Sequence, residues 1–141
     1  LAALENLRKQ ANEVKRGNGT LLDDPSYRAK LAELEIDLLA TEFTELRSLA
    51  SAANGAEPGP ESSILKLKGT EIQQRIQKLT VEAGGIYSAA WGAMPVGHMF
   101  ARGGMSGYLS SRAYTIYGGA SEVQRDVIAK NVLGIKRSQT K

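Results

Sequence analysis

Apolar residues recur every three or four positions along most of the chain, the spacing of one face of an α-helix. The first stripe lies in residues 1–16 and ends at the turn GNG; it consists of Leu4, Leu7, Ala11 and Val14. Asp24 and Pro25 then have the form of an N-cap and a first helical position. They predict a long helix over residues 25–54, which Gly55 stops and which needs partners alongside it. Its stripe consists of Tyr27, Leu31, Leu34, Leu38, Leu39, Phe43, Leu46, Leu49 and Ala53.

The second half of the chain contains further helical patterns. The helix predicted over residues 61–83 includes Gly69 in its apolar stripe, which suggests close approach of a neighbouring helix, and it ends at Gly84-Gly85. Residues 86–107 have no clear period, and helical spacing returns over 105–116 and 121–133. Because no segment alternates with period two, we expect one all-α domain over residues 1–141, an up-and-down bundle of four to five helices.

Composition and charge exclude several classes of function. With 42% hydrophobic and 23% charged residues, the 141-residue chain has the composition of a folded domain. The sequence has no cysteine and a single histidine, His98, so we expect no metal site. No apolar run is long enough for a membrane span. The net charge of +3 is mild and lacks a dense basic block, which argues against nucleic-acid binding.

Glycine is concentrated in one part of the chain: nine of the 15 glycines lie between Gly84 and Gly119. The last two precede the predicted final helix, in the segment IYGGASEVQRDVIAKNVLG. Glycines here leave backbone N–H groups open at the positive end of a helix, which favours a site for phosphate or a ligand carbonyl. An ordinary helix-turn-helix corner has the same features, and both interpretations stay open. Ser121 and Gln124 have the spacing of a capping box.

Other candidates for chemistry have simpler explanations. His98 has no adjacent serine or aspartate, so a packed or solvated histidine is favoured over a catalytic one. Acidic side chains of the long helix form a solvated face. The basic side chains of the next helix are more simply solubilising than phosphate-binding; they are Lys66, Lys68, Arg75 and Lys78. Four side chains either line an apolar ligand cavity or fold onto the bundle: Tyr87, Trp91, Met94 and Met99.

The segment IYGGASEVQRDVIAKNVLGIKR resembles the C-terminal segment of acyl-CoA dehydrogenases, and ESSILKL and EAGG are similar to that family as well. The resemblance implies a fragment of a three-domain flavoenzyme, inactive on its own. It also implies an FAD cofactor, an acyl-CoA substrate dehydrogenated at Cα and Cβ, and electron-transferring flavoprotein as the partner. A homo- or hetero-tetramer in the bacterial cytoplasm or the mitochondrial matrix is expected from the same resemblance.

The resemblance also assigns roles to the corner before the last helix. Tyr117 would border the acyl pocket, and Gly119 would approach the substrate by its backbone. Gly118 stands where many members have the catalytic glutamate, so no base is expected in this chain and the carboxylate would lie upstream of residue 1. Contacts to FAD at the helix start are implied for Ala120, Ser121 and Glu122. Ala120 replaces the usual threonine or serine, which removes a hydroxyl contact to the flavin.

A second FAD contact is implied for Gly84 and Gly85, which resemble a glycine pair that touches the flavin of a neighbouring subunit. Val81 stands where the family has a glutamine before that pair, so this contact departs from the family pattern. Two alternatives to a catalytic parent remain at this point. The chain could belong to a non-catalytic subunit of a heteromeric enzyme, or it could be a helical interaction module of the same architecture.

Overall fold

The chain folds into helices, as the apolar spacing predicts. A computed structural model describes residues 2–55, 59–90 and 97–135. Within these ranges lie five α-helices: α1 (Ala2–Glu13), α2 (Pro25–Ala53), α3 (Glu61–Gly84), α4 (Gly104–Ser110) and α5 (Ser121–Asn131). Short 3₁₀ turns lie at Leu21–Asp23, Gly85–Ala89, Met99–Ala101 and Ser111–Thr115. The predicted all-α bundle of four to five helices is confirmed.

The first helix ends at Glu13 rather than at the predicted residue 16, because a small hairpin follows it. Strands β1 (Lys15–Arg16) and β2 (Gly19–Thr20) pair in antiparallel fashion, with Gly17 in the left-handed region at φ +54°. The Asp23 carboxylate accepts hydrogen bonds from the Thr20 backbone N–H at 2.8 Å and from its hydroxyl at 2.9 Å. These two bonds stabilise the charged carboxylate and therefore lower the pKa of Asp23.

Helix α2 has the start and the stop that its sequence predicts. The Asp24 carboxylate accepts from the N–H of Ser26 at 2.8 Å and of Tyr27 at 3.3 Å, while Pro25 occupies the first helical position. Gly55 follows the last turn with φ +83°. The 29 residues of α2 make a rod of about 44 Å.

The core is centred on α3, which packs against α1, α2, α4 and α5. The hydroxyl of the buried Tyr27 donates to the Leu79 carbonyl oxygen at 3.0 Å. Burial disfavours the tyrosinate and, together with the charge of Glu82, raises the pKa of Tyr27 above its usual range. The buried apolar cluster consists of Leu4, Leu7, Ala11, Leu21, Tyr27, Leu31, Leu34, Ile72, Ile76, Leu79 and Ala83.

The second half of α2 is apolar but uncovered in the described part of the chain. Only Tyr27, Leu31 and Leu34 of the predicted stripe are buried, whereas Phe43 is 65% exposed. On this side of the helix, the predicted partners are therefore present in the described chain only along the first half. We call the uncovered surface the α2 apolar face; it consists of Ile36, Leu39, Phe43, Leu46 and Leu49.

Ion pairs join α2 to α3 beside the core. Lys30 pairs with Glu82, and Arg75 pairs with Asp37 and, at 3.4 Å, with Glu33. The pairs are partly solvated, so each contributes at most about 1 kcal/mol. A purely solubilising role for Arg75 and these carboxylates is therefore wrong, because they also connect two helices.

Close packing occurs at Gly84 rather than at Gly69. Among the described residues, no neighbouring atom lies within 4 Å of where a Cβ at Gly69 would stand, so the expected close approach there is wrong. A Cβ at Gly84 would stand 2.7 Å from the Ala101 Cβ and inside contact distance of Ser88 Oγ. The Met99–Ala101 turn can therefore approach α3 only because position 84 has no side chain.

Candidate functional site

Two consecutive glycines shape the turn before α5. Gly118 has φ +66° and Gly119 has φ +99°, a left-handed backbone that residues with a Cβ rarely adopt. Both are exposed, and Ala120 is the N-cap of α5 without a side-chain cap. The first N–H groups of a helix have no partner inside it, so they remain open to a ligand here. We call residues 117–120 the glycine corner.

The predicted capping box at the start of α5 is wrong. Ser121 lies inside the helix rather than at its N-cap, and its buried hydroxyl donates to the Thr115 carbonyl oxygen at 3.4 Å. The Gln124 side chain instead donates through Nε2 to the Gly118 carbonyl oxygen at 3.3 Å. Side chains therefore bind the carbonyl groups of this region and leave the N–H groups of the helix start open.

Helix α3 holds the glycine corner through Lys66. The Lys66 ammonium donates to the Gly119 carbonyl oxygen at 2.6 Å and to the Tyr114 carbonyl oxygen at 3.1 Å. Thr70, one turn further along α3, also donates to the Tyr114 carbonyl oxygen, at 3.4 Å. The interpretation of Lys66 as a merely solubilising side chain is therefore wrong.

The predicted ligand residues of the corner differ in what they expose. Tyr117 is 66% exposed, so its ring is available to form the wall of a pocket. Ser121 is turned inward and can reach a ligand only through its backbone N–H, whereas the Glu122 carboxylate is exposed. Among the described residues, a Cβ at Gly118 would contact only the Lys66 Cε, at 4.0 Å, so there is open space beside this position.

The two glycines of the second predicted contact, Gly84 and Gly85, lie in different environments. Gly84 is buried and packs against its own chain, as described above. Gly85 has φ +56°, and no described atom lies within 4 Å of a Cβ placed there. Of this pair, only Gly85 presents open backbone to a ligand.

Gly85 lines a groove of about 380 Å³ between the end of α3 and the β1–β2 hairpin. We call it the hairpin groove; its lining includes Lys15, Arg16, Gly85, Ile86, Tyr87 and His98. Two cationic residues, Lys15 and Arg16, and the acidic Glu13 therefore line the groove together with the open backbone of Gly85. The basic pair was missed in the sequence because only the hairpin turns it toward the end of α3.

The remaining candidates that the structure describes do not form a second centre of chemistry. The His98 ring stacks on Phe100, with centroids 5.3 Å apart and planes 17° apart, which agrees with a packed histidine. Lys68 forms an ion pair with Glu71 at 3.4 Å. Tyr87 and Met99 are exposed, while Trp91 and Met94 lie outside the described residues, so the predicted cavity of these four side chains stays a prediction.

Two kinds of feature are absent from the described ranges. No group of three or more histidine, cysteine, aspartate or glutamate side chains is placed to hold a metal ion. No helix in the part of the chain that the structure describes has the length and apolarity to cross a membrane.

The chain matches the C-terminal domain of one enzyme family. The sequence profile described as "Acyl-CoA dehydrogenase, C-terminal domain" matches residues 2–133. The chain belongs to the acyl-CoA dehydrogenase family and corresponds to that domain.

Relatives and solved structures agree with this assignment. The chain is 30% identical over 139 residues to acyl-CoA dehydrogenase IpdE1 of Mycolicibacterium smegmatis, covering 92% of this chain and 31% of that protein. It superposes on a chain of the ChsE4–ChsE5 complex of Mycobacterium tuberculosis with a TM-score of 0.77 and 27% identity, covering 97% of this chain and 35% of that one.

Butyryl-CoA dehydrogenase from Megasphaera elsdenii has the same fold. The TM-score is 0.73 at 19% identity, and the match covers 94% of this chain and 32% of that one. The chain thus spans about a third of the length of the curated relatives it matches.

Proposed function

We propose that the chain is the C-terminal domain of an FAD-dependent acyl-CoA dehydrogenase, which removes hydrogens from Cα and Cβ of an acyl-CoA thioester. The observation that carries this proposal is the glycine corner: two left-handed glycines, an N-cap without a capping side chain and carbonyl groups fastened by Lys66. Membership of the family supports it. Electron-transferring flavoprotein is proposed as the physiological electron acceptor.

The residues of the corner fit a flavin cofactor. Open N–H groups at a helix start attract phosphate or carbonyl oxygens, and they are available for the cofactor at Ser121 and Glu122. FAD, when bound, supplies the acceptor for the hydride that leaves the substrate. The protein's part is to bind and orient the cofactor through its backbone, because the Ser121 hydroxyl is turned inward and Ala120 has none.

The hairpin groove fits a second flavin contact. Lys15 and Arg16 would balance the charge of a diphosphate, while Gly85 allows it to approach the backbone closely. We propose that this groove binds the FAD of a neighbouring subunit. This proposal shifts the predicted contact from the pair Gly84-Gly85 to Gly85 alone, with the basic hairpin added.

The acyl-CoA thioester would lie at the outer side of the corner. The exposed ring of Tyr117 would border its acyl chain, and the bare backbone of Gly119 would lie against its thioester group. Gly118 offers no carboxylate, so the base that takes the α proton is proposed to come from another part of the parent protein.

A non-catalytic subunit is the second candidate, and Gly118 favours it. The relative at 27% identity belongs to a complex of two named chains, ChsE4 and ChsE5. In such an assembly, this chain would contribute to a flavin or acyl site whose base lies on the other subunit. The α2 apolar face is proposed as part of the contact between subunits in either case.

The experiment uses the purified full-length protein that contains this domain. Flavin content is measured by absorbance, and acyl-CoA-dependent reduction of an artificial electron acceptor is then assayed. Gly119→Ala places a Cβ against the Gln124 side chain, and we expect it to lower kcat/KM at least tenfold. Gly134→Ala is the matched control, since Gly134 also has positive φ, at +66°, but has no described neighbour within 4 Å.

Three outcomes separate the candidates. Bound flavin with acyl-CoA-dependent turnover supports a catalytic parent. Bound flavin with turnover only after a second subunit is added supports the non-catalytic candidate. If the full-length protein binds neither flavin nor acyl-CoA, both candidates are wrong and an interaction module remains. The 141-residue chain alone is expected to show no turnover.

A further inference from the structure

The ammonium group of Lys66 lies against the backbone of the glycine corner. Its half-buried side chain extends from the first half of α3 and donates to two carbonyl oxygens, 48 and 53 positions further along the chain. Cationic donors form the stronger hydrogen bonds to neutral acceptors. The ammonium therefore connects the 3₁₀ turn Ser111–Thr115, which follows α4, to the turn that opens α5.

The bond to Gly119 fixes the direction of a peptide plane. In a planar trans peptide the C=O and N–H groups point in opposite directions. Because the Gly119 carbonyl oxygen points toward Lys66 at 2.6 Å, the Ala120 N–H of the same peptide points away from α3. Gly118 and Gly119 are exposed, and Ala120 is half-buried.

Gln124 fixes the preceding peptide plane in the same way. Its amide donates to the Gly118 carbonyl oxygen at 3.3 Å, so the Gly119 N–H points away from Gln124. Neither glycine has a Cβ that could shield these groups. Two side chains thus hold the corner's carbonyls and leave the amide N–H groups of Gly119 and Ala120 for an acceptor outside the domain.

We propose that Lys66 is a positioning residue, which orients the amides of the glycine corner toward the thioester carbonyl oxygen of the acyl-CoA substrate. The inference rests on the proposed function, since it takes acyl-CoA as the ligand of the corner. Lys66 itself does not touch the substrate. It acts through the Gly119–Ala120 peptide, and a hydrogen bond from that peptide to the thioester oxygen would draw electron density away from Cα.

The test compares two ligands that differ at this one oxygen. The probes are trans-oct-2-enoyl-CoA, a thioester, and S-(oct-2-enyl)-CoA, the thioether that lacks the carbonyl oxygen. Neither has a saturated Cα–Cβ bond to dehydrogenate, so calorimetric titration of the full-length protein measures binding alone. The variants are Lys66→Met and Lys66→Arg, with Lys78→Met as the control on the exposed side of the same helix.

We expect Lys66→Met to weaken thioester binding about tenfold, the usual effect of one lost hydrogen bond, and to change thioether binding less than twofold. Lys66→Arg keeps a cationic donor and should restore thioester binding to within about threefold of the unsubstituted protein. Lys78→Met should change neither affinity. A merely structural role of Lys66 would weaken both ligands alike, which would overturn the proposal, as would an unchanged thioester affinity.

The failure of the proposed function looks different. If the unsubstituted protein binds neither probe, the acyl-CoA site itself is wrong and this inference falls with it. If it binds both and only the selective loss is missing, the acyl-CoA site stands and Lys66 has no positioning role. Should Lys66→Met fail to fold, Gln124→Met replaces it, and we expect a smaller loss of thioester binding in the same direction.

Discussion

Glycine-to-alanine substitutions at two positions of α3 should change stability in opposite directions. Both residues lie in right-handed helix, where alanine is favoured over glycine by about 1 kcal/mol. At Gly69 nothing in the described chain opposes the added methyl group. Gly69→Ala should therefore raise the free energy of unfolding by about 0.5–1 kcal/mol.

At Gly84 the same methyl group meets atoms that cannot all move away. Ser88 can rotate its hydroxyl, but the Ala101 Cβ would lie at 2.7 Å and its Cα at 3.4 Å, and neither atom can move without the backbone of this buried residue. Overpacking of this kind costs about 1–3 kcal/mol, which exceeds the helical gain. Gly84→Ala should therefore lower the free energy of unfolding by about 1–2 kcal/mol.

Urea unfolding of the 141-residue chain, followed by circular dichroism at 222 nm, measures both effects. The two variants should differ by about 1.5–3 kcal/mol, although the chemical change is identical. Equal stabilisation by both substitutions would refute the reasoning, because it would mean that the Met99–Ala101 turn moves away from α3 at little cost.

Two further predictions concern polar groups of the core and the hairpin. Tyr27→Phe removes the hydrogen bond to the Leu79 carbonyl oxygen and should cost about 1 kcal/mol in urea unfolding. Since burial raises the pKa of Tyr27, the stability it contributes should be present below about pH 10 and decline above it, as ultraviolet titration of tyrosinate would show. The pKa of Asp23 is lowered by Thr20, so its contribution is present above about pH 4 and is lost as pH falls through the folded value. Asp23→Asn should therefore flatten the acid side of the curve of unfolding midpoint against pH.

Local signals explain why much of the fold could be predicted. The Asp24 cap, Pro25 and the Gly55 stop act within a few residues of each helix end, so the bounds of α2 follow from its own sequence. The three-to-four-residue spacing of the apolar stripe also predicted an α-helix correctly. It could not show where burial ends along α2, because that depends on which elements pack beside Leu34 and which beside Phe43.

Only the backbone features of the candidate site could be predicted from the sequence. Gly118 and Gly119 predict an open backbone from their residue type alone, and their left-handed φ values agree with that prediction. The contacts that support them are not local: Lys66 is more than 40 residues from the carbonyls that it binds. Nothing in the pattern distinguishes this lysine from Lys78 on the same helix. The alanine at 120 likewise became the N-cap, whereas the neighbouring serine had the more usual capping chemistry.

Helix α3 sets the distance between the two candidate contact regions. Lys66 supports the glycine corner near its start, and Gly85 opens the hairpin groove just after its end. At 1.5 Å per residue, the two positions are about 28 Å apart along a single rod. Under the proposed function, this domain would contact two cofactor molecules in two subunits. The length of one helix would then set the distance between neighbouring active sites.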